Sequence, residues 1–171
     1  MTDPMSIYGP EHYDGEYFLQ LRRWLDTQKF KRGVEIGFAW GMSAHAYLET
    51  QESKLISIDL NDNMGRGEGT TKVYGDRWEF IAGDSSATLA SLPGKFDYIY
   101  IDGDHDAGPV MSDLLAAHKK LDKGGVIVCD DYGNPCGVKE SVDAFCKDKN
   151  YSLEPMPENP NGGVILRKKS A

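Results

Sequence analysis

Two groups of acids in this sequence have the types and spacing to do chemistry: Asp102, Asp104 and His105 in "YIYIDGDH", and Asp130 and Asp131 in "VIVCDDYG". Each follows an unbroken apolar run of the kind that forms a buried strand. If the two strands are neighbours, their ends lie about 5 Å apart and Asp102 and Asp130 aim at a common point. Like charges that close require a cation. Asp102, Asp130 and Asp131 offer an all-oxygen set that suits a hard divalent ion, Mg²⁺ with Ca²⁺ or Mn²⁺ as rivals. The bland alternative is that these acids cap helices or pair with lysines, as Asp106 before Ala107, Gly108 and Pro109 is expected to do. His105 is the one histidine in this acidic stretch, and carboxylates around it would orient the ring and raise its basicity, which makes it a candidate general base.

A second constellation lies earlier, in "VEIGFAWGMSA" from Val34 to Ala44. Gly37 and Gly41 allow a sharp bend close to a ligand, and the helix that follows offers free N–H groups to an anion. Trp40 interrupts the G-x-G-x-x-G fingerprint, which weakens a dinucleotide reading. Asp59 ends the next apolar run about 20 residues on, where an acid accepts ribose hydroxyls. Glu35 is costly in an apolar strand unless a cation or hydrogen-bond donor meets it, and the ammonium of an amino acid would do so. Against this stands a plain tight turn with Glu35 paired to Arg or Lys. In "GDSSATL", Asp84 suits either a helix cap or a hydrogen bond from an adenine amino group.

The elements that must position these groups alternate along the chain. Tyr17, Phe18, Leu21, Trp24 and Leu25 recur at helical spacing and predict an amphipathic helix over 16–30, after a polar tail over 1–15. Apolar runs then alternate with helical patterns: "GVEI", "KLISID", "WEFIA", "FDYIYID" and "GVIVCD" predict strands. Continuous apolar strands imply a parallel sheet covered on both faces, a doubly wound α/β fold. "YSLEPM" and "GVILRKK", joined by "PENPNGG", predict an antiparallel hairpin at one edge. The polar stretch 61–77, with four glycines, is expected to be a long loop that acts as a lid or lies on the surface. Val110, Met111, Leu114, Leu115 and Leu121 form an apolar stripe that puts His118 at the core boundary, and Val138, Val142 and Phe145 place Cys146 in the core.

A length of 171 residues fits one domain, 1–171. The net charge of −8 disfavours nucleic acid and anionic membrane as partners. Cys129, Cys136 and Cys146 show neither disulfide nor zinc spacing, and no leader pattern or run of about 18 apolar residues occurs. A soluble, cytoplasmic protein acting on a small molecule is expected, with a homo-oligomer left open.

Taken together, these segments resemble the class I S-adenosylmethionine-dependent methyltransferases, and within them the small metal-dependent O-methyltransferases of the macrocin and catechol type. The resemblance implies a Rossmann-like, seven-stranded, mostly parallel sheet. It makes Gly37, Gly41 and Ser43 part of the methionine loop, Glu35 an amino-group partner, Asp59 the ribose acid, and Asp84 with Ser85 the adenine contacts. It puts Asp102, Asp130 and Asp131 around Mg²⁺ or another divalent cation. Where the catechol enzymes have a lysine, this chain has His105, and Asp131 stands where they have asparagine, although the sugar enzymes have an acid there. The implied reaction is metal-assisted O-methylation of a small hydroxylated acceptor, sugar or phenol, with His105 or Asp102 taking the proton. The rival readings are a nicotinamide-dependent oxidoreductase and a nucleoside-binding module without catalysis.

Overall fold

The computed structural model describes residues 15–62, 64–157 and 162–169. The expected polar tail lies outside them up to residue 14.

The elements run α1 (Gly15–Asp26), β1 (Arg32–Ile36), α2 (Met42–Thr50), β2 (Lys54–Asp59), α3 (Gly67–Tyr74), β3 (Trp78–Ala82), α4 (Ser85–Ser91), β4 (Phe96–Ile101), α5 (Ala107–Lys120), β5 (Leu121–Cys129), α6 (Gly137–Lys149), β6 (Tyr151–Pro155) and β7 (Val164–Lys168). They build a seven-stranded sheet in the order β3-β2-β1-β4-β5-β7-β6. Strands β1 to β5 pair in parallel, and β7 is antiparallel to both β5 and β6. The predicted Rossmann-like sheet and the C-terminal antiparallel hairpin are therefore both present.

Strands β2, β4, β5 and β7 feed two cores because successive side chains point to opposite faces. Val34, Ile36, Ile58, Ile99, Ile101 and Ile127 pack under Leu89 of α4, Leu114 of α5 and Phe145 of α6. On the other face Leu55, Tyr98, Tyr100 and Val128 meet Leu21 and Leu25 of α1, Tyr47 of α2 and Tyr74 of α3. Fully burying a side chain such as Leu21 or Leu25 stabilises the fold by about 1.5–3 kcal/mol.

The leading helix ends at Asp26, earlier than the expected 30. The Thr27 backbone N–H and hydroxyl both donate to the Trp24 carbonyl, at 3.0 and 2.7 Å. Gln51 then draws the chain away: its amide nitrogen donates to the Leu25 carbonyl, and its oxygen accepts the Phe30 N–H.

The stretch 61–77 is not the long loop expected. It contains α3 and a 3₁₀ turn at Gly75–Arg77. Asp62 starts α3 by accepting the N–H groups of Arg66 and Gly67 at 2.9 and 2.8 Å. A Cβ at Gly67 would lie 2.9 Å from Asp62 Oδ2, so a glycine that reads as a helix breaker is what lets this start close up. Thr70 and Tyr74 bury the inner side, and the Tyr74 hydroxyl lies 2.9 Å from His45 Nδ1.

Among the described residues, no helix is long and apolar enough to cross a membrane.

Candidate active site

The order of strands reverses at β1, which has β2 on one side and β4 on the other. In an open parallel sheet the crevice beyond the carboxyl ends at that point is where ligands bind. A cavity of about 440 Å³ lies there, lined by the ends of β1, β2 and β4 and the start of α4.

The bend after β1 builds one wall. Gly37, Ala39 and Gly41 have φ of 86°, 39° and 75°. Left-handed backbone at alternate positions folds the turn back on itself and favours glycine. At Gly37 the neighbouring strand also demands it, because a Cβ would lie 1.9 Å from the Asp102 carbonyl oxygen. Gly37 is thus bare first for β4 and only then for a ligand. Phe38 turns into the core against Trp78 and Phe80, while the Arg66 guanidinium lies over the Trp40 ring.

Asp59 holds this bend. Its Oδ2 accepts the N–H groups of Phe38 and Ala39 at 2.8 and 3.2 Å, and its Oδ1 accepts that of Leu60 at 2.7 Å. The carboxylate also lines the cavity, so one acid both locks the turn and faces the space beside it. Ala39, Leu60, Gly83, Asp84 and Ser85 continue the lining, and Leu60 is 73% exposed at its rim.

Glu35, Gly41 and Ser43 do not line the cavity. Glu35 is buried, and its two oxygens accept the hydroxyls of Ser43 at 2.9 Å and Ser57 at 2.6 Å. Ser57 in turn accepts the Trp78 indole N–H. Neither an Arg nor a Lys meets Glu35 in these bonds. Burial pushes its carboxyl up to about 8, against the two serine bonds, with Asp102 and Asp59 adding repulsion.

On the other wall, Ile101 pairs with Cys129 in the β4–β5 register, which sets the two acid-tipped strands side by side. The group that gathers differs from the expected all-oxygen set. Asp102, His105 and Asp131 present an atom each within 4.8 Å of one another. His105 Nε2 lies 3.0 Å from Asp131 Oδ2 and 3.5 Å from Asp102 Oδ1. Asp130 is not in this group: its Oδ2 accepts the Tyr100 hydroxyl at 2.9 Å, and its Oδ1 accepts the Asp131 N–H at 2.8 Å. Asp131 sits at φ 56°, a left-handed backbone that costs about 1–3 kcal/mol outside glycine. Asn134 donates to its other oxygen.

Burial and the two neighbouring acids raise the Asp102 carboxyl above the ordinary range, and the same Asp102 raises His105 by hydrogen bonding. His105 is therefore protonated at neutral pH, and a base role for it requires that something first displace that proton.

Asp84 caps α4 through Oδ1, which accepts the Ala87 N–H at 2.8 Å. Beside it, Ser85 Oγ donates to Asp113 Oδ1 at 2.6 Å. Asp106 occupies the N-cap position of α5 without making a side-chain cap bond, contrary to expectation. Cys129 is buried, and His118 lies at the core boundary with Nδ1 2.9 Å from the Tyr151 hydroxyl.

Tyr100 and Asp113 are site residues that the sequence did not single out. Tyr100 carried a signal, because alternation in "FDYIYID" sets it on the face opposite Ile101. Asp113 carried a weaker one, as an acid directly before Leu114 in the apolar stripe of α5.

Comparison with known proteins agrees with this geometry. The family described as a methyltransferase domain matches residues 34–132. The chain is 32% identical over 111 residues to "Uncharacterized protein R132" of Acanthamoeba polyphaga mimivirus, covering 58% of this chain and 50% of that protein. It is 30% identical over 107 residues to "O-methyltransferase hkm8" of Aspergillus hancockii, covering 59% of this chain and 42% of that one. The chain thus spans about half the length of these curated relatives. The crystal structure of the Podospora anserina methyltransferase PaMTH1, bound to S-adenosylhomocysteine, superposes with a TM-score of 0.71 at 22% identity, over 89% of this chain and 77% of that one. With residues 34–132 carrying both the glycine bend and the acid-tipped strands, the chain belongs to the methyltransferase-domain family and has the class I S-adenosylmethionine-dependent methyltransferase fold.

Proposed function

We propose that this domain binds S-adenosylmethionine beyond the carboxyl ends of β1, β2 and β4, and methylates a hydroxyl oxygen of a small acceptor, a sugar or a phenol. The observation that carries this reading is the double membership of Asp102. It lines the cavity beside the glycine bend, and it belongs to the group with His105 and Asp131. A methyl donor seated in the cavity would therefore lie next to groups able to handle an acceptor proton.

The lining suits the cofactor. The cavity is of ligand size, and it combines apolar cover with a few placed polar groups. Leu60 and Pro109 offer apolar surface to a flat base. Asp59 keeps acceptor capacity for ribose hydroxyls beyond the amide bonds it makes, since a carboxylate has about four lone-pair sites. Glu35 lies behind the bend, close enough to Asp59 and Asp102 for mutual repulsion, so a nearby ammonium would favour its charged form.

The trio of two carboxylates and one imidazole also suits a divalent ion. An imidazole among the donors favours Mn²⁺, Fe²⁺ or Zn²⁺ over Mg²⁺, which prefers oxygen alone. Asp102, His105 and Asp131 would hold the ion, which would take the place of the His105 proton and, as a Lewis acid, would lower the pKa of an acceptor hydroxyl. The Asp102 oxygen that such an ion would leave free is placed to take the hydroxyl proton. The acceptor oxygen then forms its bond to the methyl carbon as the carbon–sulfur bond breaks, and S-adenosylhomocysteine leaves. Fixing donor and acceptor against one rigid wall supplies orientation. The Tyr100–Asp130 bond and the Asn134–Asp131 bond keep the flanking acids in place.

Incubation with methyl-labelled S-adenosylmethionine and a panel of catechols and sugars tests the reading. Label is expected in the O-methyl product, with loss on EDTA treatment and recovery on adding Mn²⁺. Activity that EDTA leaves unchanged removes the ion from the account. Tight S-adenosylhomocysteine binding without transfer to any acceptor would favour a nucleoside-binding module instead.

A further inference from the structure

Asp113 is a buried acid that the mechanism above does not use. It is 2% exposed on α5, among the apolar side chains that pack against the sheet. Its Oδ1 accepts the Ser85 hydroxyl at 2.6 Å across the α4–α5 contact. Its Oδ2 lies on the far side of Gly103, 3.8 Å from where a Cβ of that glycine would stand. Ser85 and Gly103 both line the cavity, so Asp113 stands directly behind its wall.

An acid in this position has a consequence for recognition. A serine hydroxyl has one proton and two acceptor lone pairs, and it rotates to suit its partner. An ionised carboxylate only accepts. Facing Asp113, Ser85 must spend its proton on the carboxylate, which leaves only lone pairs for a ligand. Asp84 beside it uses Oδ1 for the helix cap, and among the described hydrogen bonds Oδ2 takes none, so it too offers an acceptor. Burial pushes the Asp113 carboxyl up to about 6, which leaves it ionised at pH 7.5.

We propose that Asp113 sets the direction of the Ser85 hydroxyl, and so makes this end of the cavity select a base bearing an amino group over one bearing a keto oxygen. The proposal rests on the reading of the cavity as the adenosyl site, and it assigns the selectivity to a residue that never touches the ligand. An amino group donates to the acceptors that Asp113 leaves exposed. A keto oxygen there meets side-chain acceptors, the Ser85 lone pairs and the free Asp84 oxygen, and that mismatch lowers its affinity.

Calorimetry at pH 7.5 with S-adenosylhomocysteine and its 6-keto analogue, S-inosylhomocysteine, tests the proposal on the full chain. The wild type is expected to prefer the amino ligand by tenfold or more. Asp113→Ala frees the hydroxyl to donate outward, and the preference should shrink at least threefold. Asp113→Asn keeps the shape and can donate to Ser85 Oγ, turning its proton towards the cavity, so the preference should fall further or reverse. In a Ser85→Ala background the Asp113 substitutions should no longer change the ratio. A ratio that stays at the wild-type value in both Asp113 variants, with S-adenosylhomocysteine still bound, overturns the role of Asp113 alone. If the wild type binds neither nucleoside, the adenosyl reading of the cavity falls, and this proposal with it.

Discussion

Glu35 is closed in by Ser43, Ser57 and the strand itself, and its carboxyl is raised from 4.5 to about 8 by that burial. The folded state therefore binds this proton more tightly than the unfolded chain does. The resulting stabilisation is fully present below pH 4.5 and drains away as pH rises through about 8. A carboxyl whose titration moves by one pH unit on folding changes stability by about 1.4 kcal/mol, so Glu35→Gln should flatten the fall in stability between pH 5 and 8, read as urea midpoints across that range. Asp102→Asn should cut methyl transfer by at least about 100-fold, the usual worth of a proton-transfer group, and leave the S-adenosylhomocysteine Kd within about threefold. Equal losses in binding and transfer would place Asp102 in ligand binding alone. Asp59 and Asp102 were legible in the sequence because each terminates an apolar strand, where a charge has no reason to be unless it faces a crevice. The displacement of Asp130 by His105 was not legible. It depends on a tyrosine hydroxyl from the adjacent strand and on a left-handed backbone at Asp131, neither of which has a local signature.

At the scale of elements, alternation of strand and helix was plain because buried parallel strands read as continuous apolar runs. Helix α3 was hidden. Eight residues are too few to be helical alone, and Gly67 and Gly69 lower the propensity further, so tertiary docking and the Asp62 cap carry it. Asp62→Ala should accordingly cost about 0.5–2 kcal/mol and speed amide exchange in 67–74 ahead of the rest of the molecule. The bend after β1 gives the opposite case, an element whose glycine was visible but whose reason was not. Gly37→Ala drives a Cβ towards the Asp102 carbonyl. About 3 kcal/mol of lost stability is expected, near the upper end for point substitutions, which lowers Tm by about 6–12 °C in a chain of this size. A Tm within 2 °C of the wild type would mean that β1 and β4 separate freely at this point.

At the scale of the whole molecule, the reversal of strand order at β1 brings together groups that are far apart in sequence. The bend at 37–41, Asp59, the start of α4 and the end of β4 meet around one cavity because parallel strands send all their carboxyl ends the same way. That convergence was expected from the alternation of elements, whereas the buried partner behind Ser85 required the packing of α4 against α5. The crevice collects Asp59, Asp84, Asp102 and Asp104 in a chain of net charge −8. S-adenosylmethionine carries one more positive charge than S-adenosylhomocysteine, so its affinity should fall more steeply between 50 and 500 mM salt. Parallel salt slopes for the two ligands would mean that the acids do not act on the sulfonium. The most direct measurement of the central claim is a crystal structure of the chain with S-adenosylhomocysteine. The nucleoside is expected between Asp59 and Ser85, with its sulfur directed towards Asp102. Density for the ligand anywhere other than the crevice beyond β1, β2 and β4 would contradict it.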